Sequence, residues 1–287
     1  MRFGILLTLF IAATAAWAAP PAIRLRNTEG TAVLNDALQN PSFWSSAKRW
    51  TYQDRMYDTI QLKPVESGYV PMITGESDQD IPAEAVAEIV FHQQNRLPRT
   101  MSGAVAVINL GTGVDAVTGA SYQDTWFLLD LTAFYAWFYQ RMYRYDRDGQ
   151  TVLAFEKLTP SMVDAATWTR YDAAAKAAYA KAPKGSIWRI FGDQEVTELY
   201  GMFRVEPGST RTSRVTFVSR IGFGSDSSWL AQAGSKMPSV IRGGLENGFD
   251  GCVSLAKAER DRRAALPPPA PPPPPPVPEA TPAPPAQ

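Results

Sequence analysis

Residues 200–224 read YGMFRVEPGSTRTSRVTFVSRIGFG, two alternating runs on either side of Pro207-Gly208-Ser209-Thr210. Successive side chains of an extended strand point to opposite faces, so Phe203 and Val205 share a face on the first arm. Val215, Phe217, Ile221 and Phe223 share one on the second. A turn signal between two such runs makes an antiparallel hairpin, and it commits the chain to an antiparallel sheet.

More strands are written elsewhere. RMYDTIQLKPV and GYVPMITGES form a first hairpin, and GAVAVINLG is a further strand. The most aromatic segment, from Trp126, would be apolar on every side as a helix, and Asp130 and Gln140-Arg141 break it as a membrane span. As strands it works: Tyr135, Trp137, Tyr139, Arg141, Tyr143 and Tyr145 alternate with Ala136, Phe138, Gln140 and Met142. Asp148-Gly149 then turns the chain into QTVLAFEKL. SIWRIFG and EVTELYGMFRVEPG complete the set.

Helical patterns lie apart from these strands. FWSSAKRW reads as one or two turns anchored by Phe43, Trp44 and Trp50. DIPAEAVAEIV predicts a helix with Asp80 as N-cap, Pro82 in the first turn and Glu84 and Glu88 early, ended by Leu97-Pro98. Residues 161–184 are an alanine-rich helical insertion. After a polar Gly/Ser loop comes KMPSVIRGGLENGFDGCVSLAK, in which Met237, Ile241, Leu245, Phe249, Cys252 and Ala256 hold one helical phase. It also carries Gly243, Gly244, Gly248 and Gly251, which together cost a helix about 3–4 kcal/mol. Asn247-Gly248 and Asp250-Gly251 are turn dipeptides, yet a broken chain has no reason to keep the phase, so one long helix is expected. Hairpins with segregated helices make the fold class α+β.

Both ends of the 287 residues stand apart from the fold. Residues 1–18, MRFGILLTLFIAATAAWA, have a basic start, an apolar core and the small-x-small site Ala16-Trp17-Ala18. That is a cleavable signal peptide, and with no cysteine after the site the lipoprotein route is not indicated. A periplasmic or secreted chain is expected. Residues 19–42 form an N-terminal extension, and residues 264–287 a Pro-rich tail with six consecutive prolines, a spacer or a docking segment for a protein partner. Formal net charge is zero and the arginines are scattered, so no nucleic-acid partner is indicated. The single cysteine, Cys252, allows no intramolecular disulfide and falls on the apolar phase of the last helix.

Residues that do chemistry are few. His92 is the one histidine, so a His-pair metal motif is excluded. No G-x-S-x-G elbow, Walker loop or C-x-x-C occurs. Ser45-Ser46-Ala47-Lys48 matches S-x-x-K without the S-D-N and K-T-G that accompany it in penicillin-recognising enzymes. Glu195 and Glu198, three apart on a strand, are expected on opposite faces and so do not form an acid/base pair.

From Trp50 to Ala256 the order of these elements resembles the START-like (steroidogenic-acute-regulatory-related lipid transfer) helix-grip, or SRPBCC, superfamily. The resemblance rests on the first hairpin, DIPAEAVAEIV followed by RLPRTM, the GMFRVEPGSTRTSRVTFVSRIG hairpin, and a last helix begun through a proline, KMPSVIRGGLENGF. It implies a curved antiparallel sheet wrapped around the C-terminal helix, over residues 43–263, with a lipid or other hydrophobic small molecule between them. It implies no cofactor and no shared catalytic residues. The aromatic segment from Trp126 and the 161–184 insertion are longer than the family pattern needs.

Alternation and helix phase then nominate Phe203, Val205, Val215, Phe217, Ile221, Met237, Ile241, Gly244 and Leu245 as lining residues. Arg204 or Arg220 would orient a polar head. Gly243 and Gly244 would let the helix backbone approach the sheet or a ligand, or let the helix flex. The function expected is an exported, non-enzymatic carrier with transient membrane contact. A polyketide cyclase or aromatase-like enzyme on this fold, and an envelope structural protein acting through its Pro-rich tail, are the alternatives.

Overall fold

Nine strands are described: β1 (Lys48–Thr51), β2 (Thr59–Val65), β3 (Gly68–Glu76), β4 (Ala104–Val114), β5 (Ser121–Asp130), β6 (Tyr135–Arg147), β7 (Gln150–Lys157), β8 (Asp193–Pro207) and β9 (Ser213–Phe223). They form one curved sheet in the order β1-β2-β3-β9-β8-β7-β6-β5-β4, every neighbour antiparallel. Beyond the end of β7, Tyr135 of β6 meets Asp193 of β8 in a short parallel contact. The structure, a computed structural model, describes residues 22–51, 57–65, 68–77, 81–131, 134–183, 192–208 and 212–265.

Two layers cover the sheet. On the inner face lie α2 (Ala83–His92) and α5 (Pro238–Ala264). Val86, Ile89 and Val90 of α2 and Leu245, Phe249 and Val253 of α5 share one core with Phe138, Leu153, Phe155, Phe203 and Phe217. On the outer face lie α1 (Thr28–Gln39) and α3 (Ala165–Lys181). Ile23, Leu25 and Leu34 bury against Tyr143, Val152, Ala154, Tyr200 and Met202, and Tyr171 and Ala175 bury against Trp126, Leu128 and Tyr139. The central strands β5, β6 and β7 bury side chains on both faces, which is why this part of the sequence reads as rich in aromatics on both phases. Residues 22–40 are thus packed on the sheet rather than trailing from it.

Local chemistry sets the helix ends. The Asn27 side chain accepts the Gly30 N–H at 2.9 Å to cap α1, and Asp164 accepts the Thr167 N–H at 2.9 Å to cap α3. Asp148, at φ 51°, and Gly149, at φ 78°, make the tight turn between β6 and β7.

Several expectations need correction. Asp80 lies outside the described residues; α2 begins at Ala83 with Pro82 at the cap position and no side-chain cap. It ends at His92, and Leu97-Pro98 sits in a separate 3-10 turn, Gln94–Arg99. FWSSAKRW divides into a 3-10 turn, Pro41–Trp44, and β1, where Trp50 pairs with Ile60. SIWRIFG, apart from Gly192, lies outside the described residues, as do residues 209–211 of the last hairpin turn and both chain ends, 1–21 and 266–287. The polar loop before the last helix contains a short helix, α4 (Trp229–Gly234), capped by Ser228. Among the described residues no helix is long and apolar enough to cross a membrane.

Candidate functional site at the start of the long helix

The 27 residues of α5 form one helix, and they divide by depth. From Leu245 onward the inward stripe of Leu245, Phe249, Cys252, Val253 and Ala256 is buried. Two glycines let this part sit close. A Cβ on Gly248 would lie 2.9 Å from the Phe217 ring, and one on Gly251 would lie 2.6 Å from the Met101 Cβ. The Thr100 hydroxyl donates to the Gly251 carbonyl at 2.9 Å, tying the helix backbone to the chain just before β4.

Close approach was expected at Gly243 and Gly244. It occurs one to two turns later, and a Cβ on either earlier glycine would meet nothing within 4 Å. At about 100° per residue Gly243 points opposite to Leu245 and Gly244 points to the flank, so neither faces the sheet. In the first two turns of α5 no glycine is pressed against another element.

The nominated lining residues separate into two groups. Phe203, Val205, Val215, Phe217 and Leu245 come together in the inner core, where the Phe203 and Phe217 rings stack at 4.3 Å and Phe155 lies 6.1 and 6.2 Å from them. Ile221 is 37% exposed and Met237 48%, and with Val240 at 52% and Trp229 at 69% they leave large apolar side chains in water around the start of α5. Ile241 is half-buried and Gly244 exposed in the same stretch. A Cβ on Gly68 would lie 3.0 Å from Arg220 and 3.6 Å from the Ser235 carbonyl oxygen, so the α4–α5 junction sits beside the Ile221 end of β9. Beside it a groove of about 460 Å³ is lined by Trp50, Pro238, Ser239, Arg242, Gly243 and Glu246. There Arg242 stands 5.8 Å from the Trp50 ring centre and bonds Glu246 at 2.9 Å.

Neither arginine nominated to orient a polar head faces this interior. Arg204 and Arg220 alternate with Phe203 and Phe217, so both project from the outer face. Arg220 pairs there with Glu198 at 2.9 Å, and Arg204 with Glu206 at 2.6 Å. Polar groups do occur on the inner face, and sequence reasoning missed them. Gln140 of β6 lies opposite Thr125 of β5, and its amide donates to Gln94 Oε1 at 3.3 Å. Gln94 in turn donates to the Met142 sulfur at 3.1 Å. The available signal was a glutamine in the row Ala136, Phe138, Gln140, Met142.

The buried charges gather on the outer face. Arg141 bonds Asp124 through both Nε and Nη2 at 2.7 Å, reaches Asp115 at 3.0 Å, and lies 3.7 Å from the centre of the Tyr122 ring. Tyr171 of α3 donates to Asp124 at 3.2 Å, and Arg26 bonds Asp115 at 2.8 Å, so the cluster fastens both outer helical segments to the sheet. Burial pushes the Asp124 carboxyl above its ordinary value, against the pull of Arg141. Burial also pushes the Cys252 thiol up to about 12, which leaves it an unreactive core residue.

The remaining candidates are dispersed. His92 is half-exposed beside Glu88 at 3.4 Å. Ser45 and Lys48 are exposed. A bulge between Val196 and Glu198 interrupts the alternation that was to set Glu195 and Glu198 on opposite faces. Glu195 pairs with Lys157 and Glu198 with Arg220. Among the described residues no three His, Cys, Asp or Glu side chains are grouped to hold a metal.

No protein-family model matches the sequence, and no curated protein matches it. Solved structures do match in shape. Human STARD10 is 7% identical with a TM-score of 0.52, over 86% of this chain and 88% of that one. Human StAR-related lipid transfer protein 5 is 7% identical with a TM-score of 0.50, over 81% and 96%. A STAR-related lipid transfer protein from Xanthomonas axonopodis is 12% identical with a TM-score of 0.49, over 75% and 98%. At these identities the likeness is one of fold.

Proposed function

From the START-like helix-grip fold that the chain has, we propose that it binds and carries a lipid or similar hydrophobic molecule between α5 and the inner face of the sheet. The observation that carries this reading is the contrast along α5. Its second half is closed onto the sheet through Gly248 and Gly251, whereas in its first two turns Gly243 and Gly244 meet nothing within 4 Å and Val240 is exposed, as are Met237 just before them, Ile221 and Trp229. A core that had only to be stable would bury those side chains. An apolar cargo passing under the first turns would replace water around them, and Phe203, Val205, Val215, Phe217, Ile241 and Leu245 would line its path.

Burying about 300 Å² of such a molecule contributes about 7 kcal/mol before the cost of ordering it is subtracted. The similar shape of human StAR-related lipid transfer protein 5 agrees with this reading. Export belongs to it as well, on the signal-peptide pattern of residues 1–18, and so does transient membrane contact through the Trp229 and Val240 surface.

Native mass spectrometry of the mature chain, purified from a bacterial periplasm, tests the reading. A stoichiometric adduct that is released as an apolar small molecule supports it. A clean protein mass that stays unchanged after incubation with envelope lipid extract refutes it.

A further inference from the structure

The charge distribution inside the molecule says what kind of head such a cargo carries. Among the described residues the buried charged side chains are Asp115, Asp124, Arg141, Glu156, Glu206, Arg220 and Glu259. By strand alternation Asp124, Arg141, Glu156, Glu206 and Arg220 project from the outer face, and Asp115 joins Arg141 there. Glu259, late in α5, is enclosed by Arg96, Arg262 and Arg263 at 2.7, 2.7 and 2.9 Å. Among the described residues no fully buried charge is left over for the inner face. A phosphate or carboxylate head brought there would lose its water without gaining a counter-charge, a loss far larger than any single hydrogen bond returns.

What the inner face does carry is a buried neutral polar group on β5, β6 and the 3-10 turn after α2. Thr125 is fully buried and its hydroxyl has no hydrogen-bond partner. Across the strand pair stands Gln140, 6% exposed, joined to Gln94, 2% exposed, by a long 3.3 Å bond. Gln94 spends a donor on the Met142 thioether, a poor acceptor, at 3.1 Å. Gln93, next to it in the chain, also has its Oε1 buried without a partner. Buried polar groups in native proteins are ordinarily satisfied, so an orphaned hydroxyl beside two weakly bonded amides is an unfilled demand for a partner. The stacked pair Phe127 and Phe138, one register step along the same two strands, supplies apolar wall next to it.

We infer that Thr125, Gln140 and Gln94 form the polar pole of the binding site and select a hydrophobic molecule with an uncharged hydrogen-bonding head, a hydroxyl or ester carbonyl, over one with an anionic head. The inference rests on the proposed carriage and names its cargo class. A head hydroxyl would accept from or donate to the Thr125 hydroxyl and exchange bonds with the Gln140 amide. The Gln94 amide would then hold Gln140 in place.

The test uses the full mature chain and three probes: monooleoylglycerol with a neutral head, oleate with an anionic head, and pyrene with none. Binding is measured by titration calorimetry or fluorescence for the wild type and for Thr125→Val, which keeps the shape and removes only an unsatisfied hydroxyl. Thr125→Val is expected to melt no lower than the wild type, so folding failure does not obscure the result. Wild-type protein should bind monooleoylglycerol at least tenfold more tightly than oleate, and Thr125→Val should weaken monooleoylglycerol about fivefold to tenfold while leaving pyrene unchanged. Gln140→Met should weaken it similarly. Pyrene binding with equal affinity for oleate and monooleoylglycerol, or with no effect of Thr125→Val, overturns the inference and leaves carriage standing. Failure to bind any of the three probes overturns both.

Discussion

The four glycines of α5 allow one substitution to be tried with opposite expected signs on a single helix. Gly243→Ala and Gly244→Ala place a methyl group where nothing lies within 4 Å. Each should stabilise the protein by up to about 1 kcal/mol through helix propensity and a less free unfolded chain. Gly251→Ala places one 2.6 Å from the Met101 Cβ and 3.0 Å from its Cα. Backbone cannot swing aside as a side-chain tip does, so the helix must lift from the β4 side and strain the Thr100 bond to Gly251. Overpacking of that kind costs about 3 kcal/mol, and the propensity gain of about 1 offsets part of it, leaving a net loss of about 2. In a chain of this size each kcal/mol moves the melting temperature by about 2–4 °C, so Gly243→Ala and Gly251→Ala, about 3 kcal/mol apart, should melt about 6–12 °C apart. Thermal unfolding followed by circular dichroism measures the difference. Equal melting temperatures, or a Gly243→Ala variant less stable than the wild type, would refute the account of how this helix is seated. If the first turns admit cargo, Gly243→Ala/Gly244→Ala should also slow uptake of pyrene in stopped-flow mixing while raising stability, a combination that a purely structural helix would not show.

The outer face offers sharper losses. Arg141→Met leaves Asp124 in the interior without its counter-charge, while Asp115 keeps Arg26, and should cost about 3–5 kcal/mol in urea denaturation; a loss below 1 kcal/mol would mean that the cluster does not hold the outer layer. Gly111→Ala drives a methyl group into the Tyr171 hydroxyl and should loosen α3, costing about 1–3 kcal/mol and raising amide exchange in α3 ahead of the sheet. The hydrogen bonds from Arg262 hold the Glu259 carboxyl well below its ordinary value of 4.5, with Arg263 and Arg96 pulling the same way. The folded state therefore binds fewer protons than the unfolded one, and this contribution to stability is complete above pH 4.5 and lost as the pH falls below it. Glu259→Gln should flatten the pH dependence of the melting temperature in that acid range; an unchanged acid limb would remove Glu259 as its cause.

Much of the fold could be read from residue order because it depends on local periodicity. The alternation around Pro207-Gly208 became β8 and β9 with Phe203 directly opposite Phe217, and the phase from Leu245 to Ala256 became a single helix despite its turn dipeptides. The break between α2 and the following 3-10 turn, and the division of FWSSAKRW into a turn and a strand, were lost because short segments carry too few periods to distinguish the two states. At the candidate site the outcome was mixed. Five of the nominated apolar residues meet in the core, whereas Ile221 and Met237 stand in water at the start of α5, since alternation assigns a face to a side chain and not its depth.

By itself the sequence determined which side chains share a face, where the chain turns, and that an antiparallel sheet is paired with one long C-terminal helix, because these follow from backbone repeats of two and 3.6 residues. That Arg204 and Arg220 lie opposite to Phe203 and Phe217 was implicit in the same repeat. Only the tertiary structure decided what covers each face: that α1 and α3 close the outer side around Arg141, that Gly248 and Gly251 rather than Gly243 and Gly244 meet another surface, and that Thr125 and Gln140 stand together without charge. Those facts depend on neighbours far apart in the chain, since burial, steric clearance and hydrogen-bond satisfaction are properties of pairs of surfaces, and no local repeat encodes them.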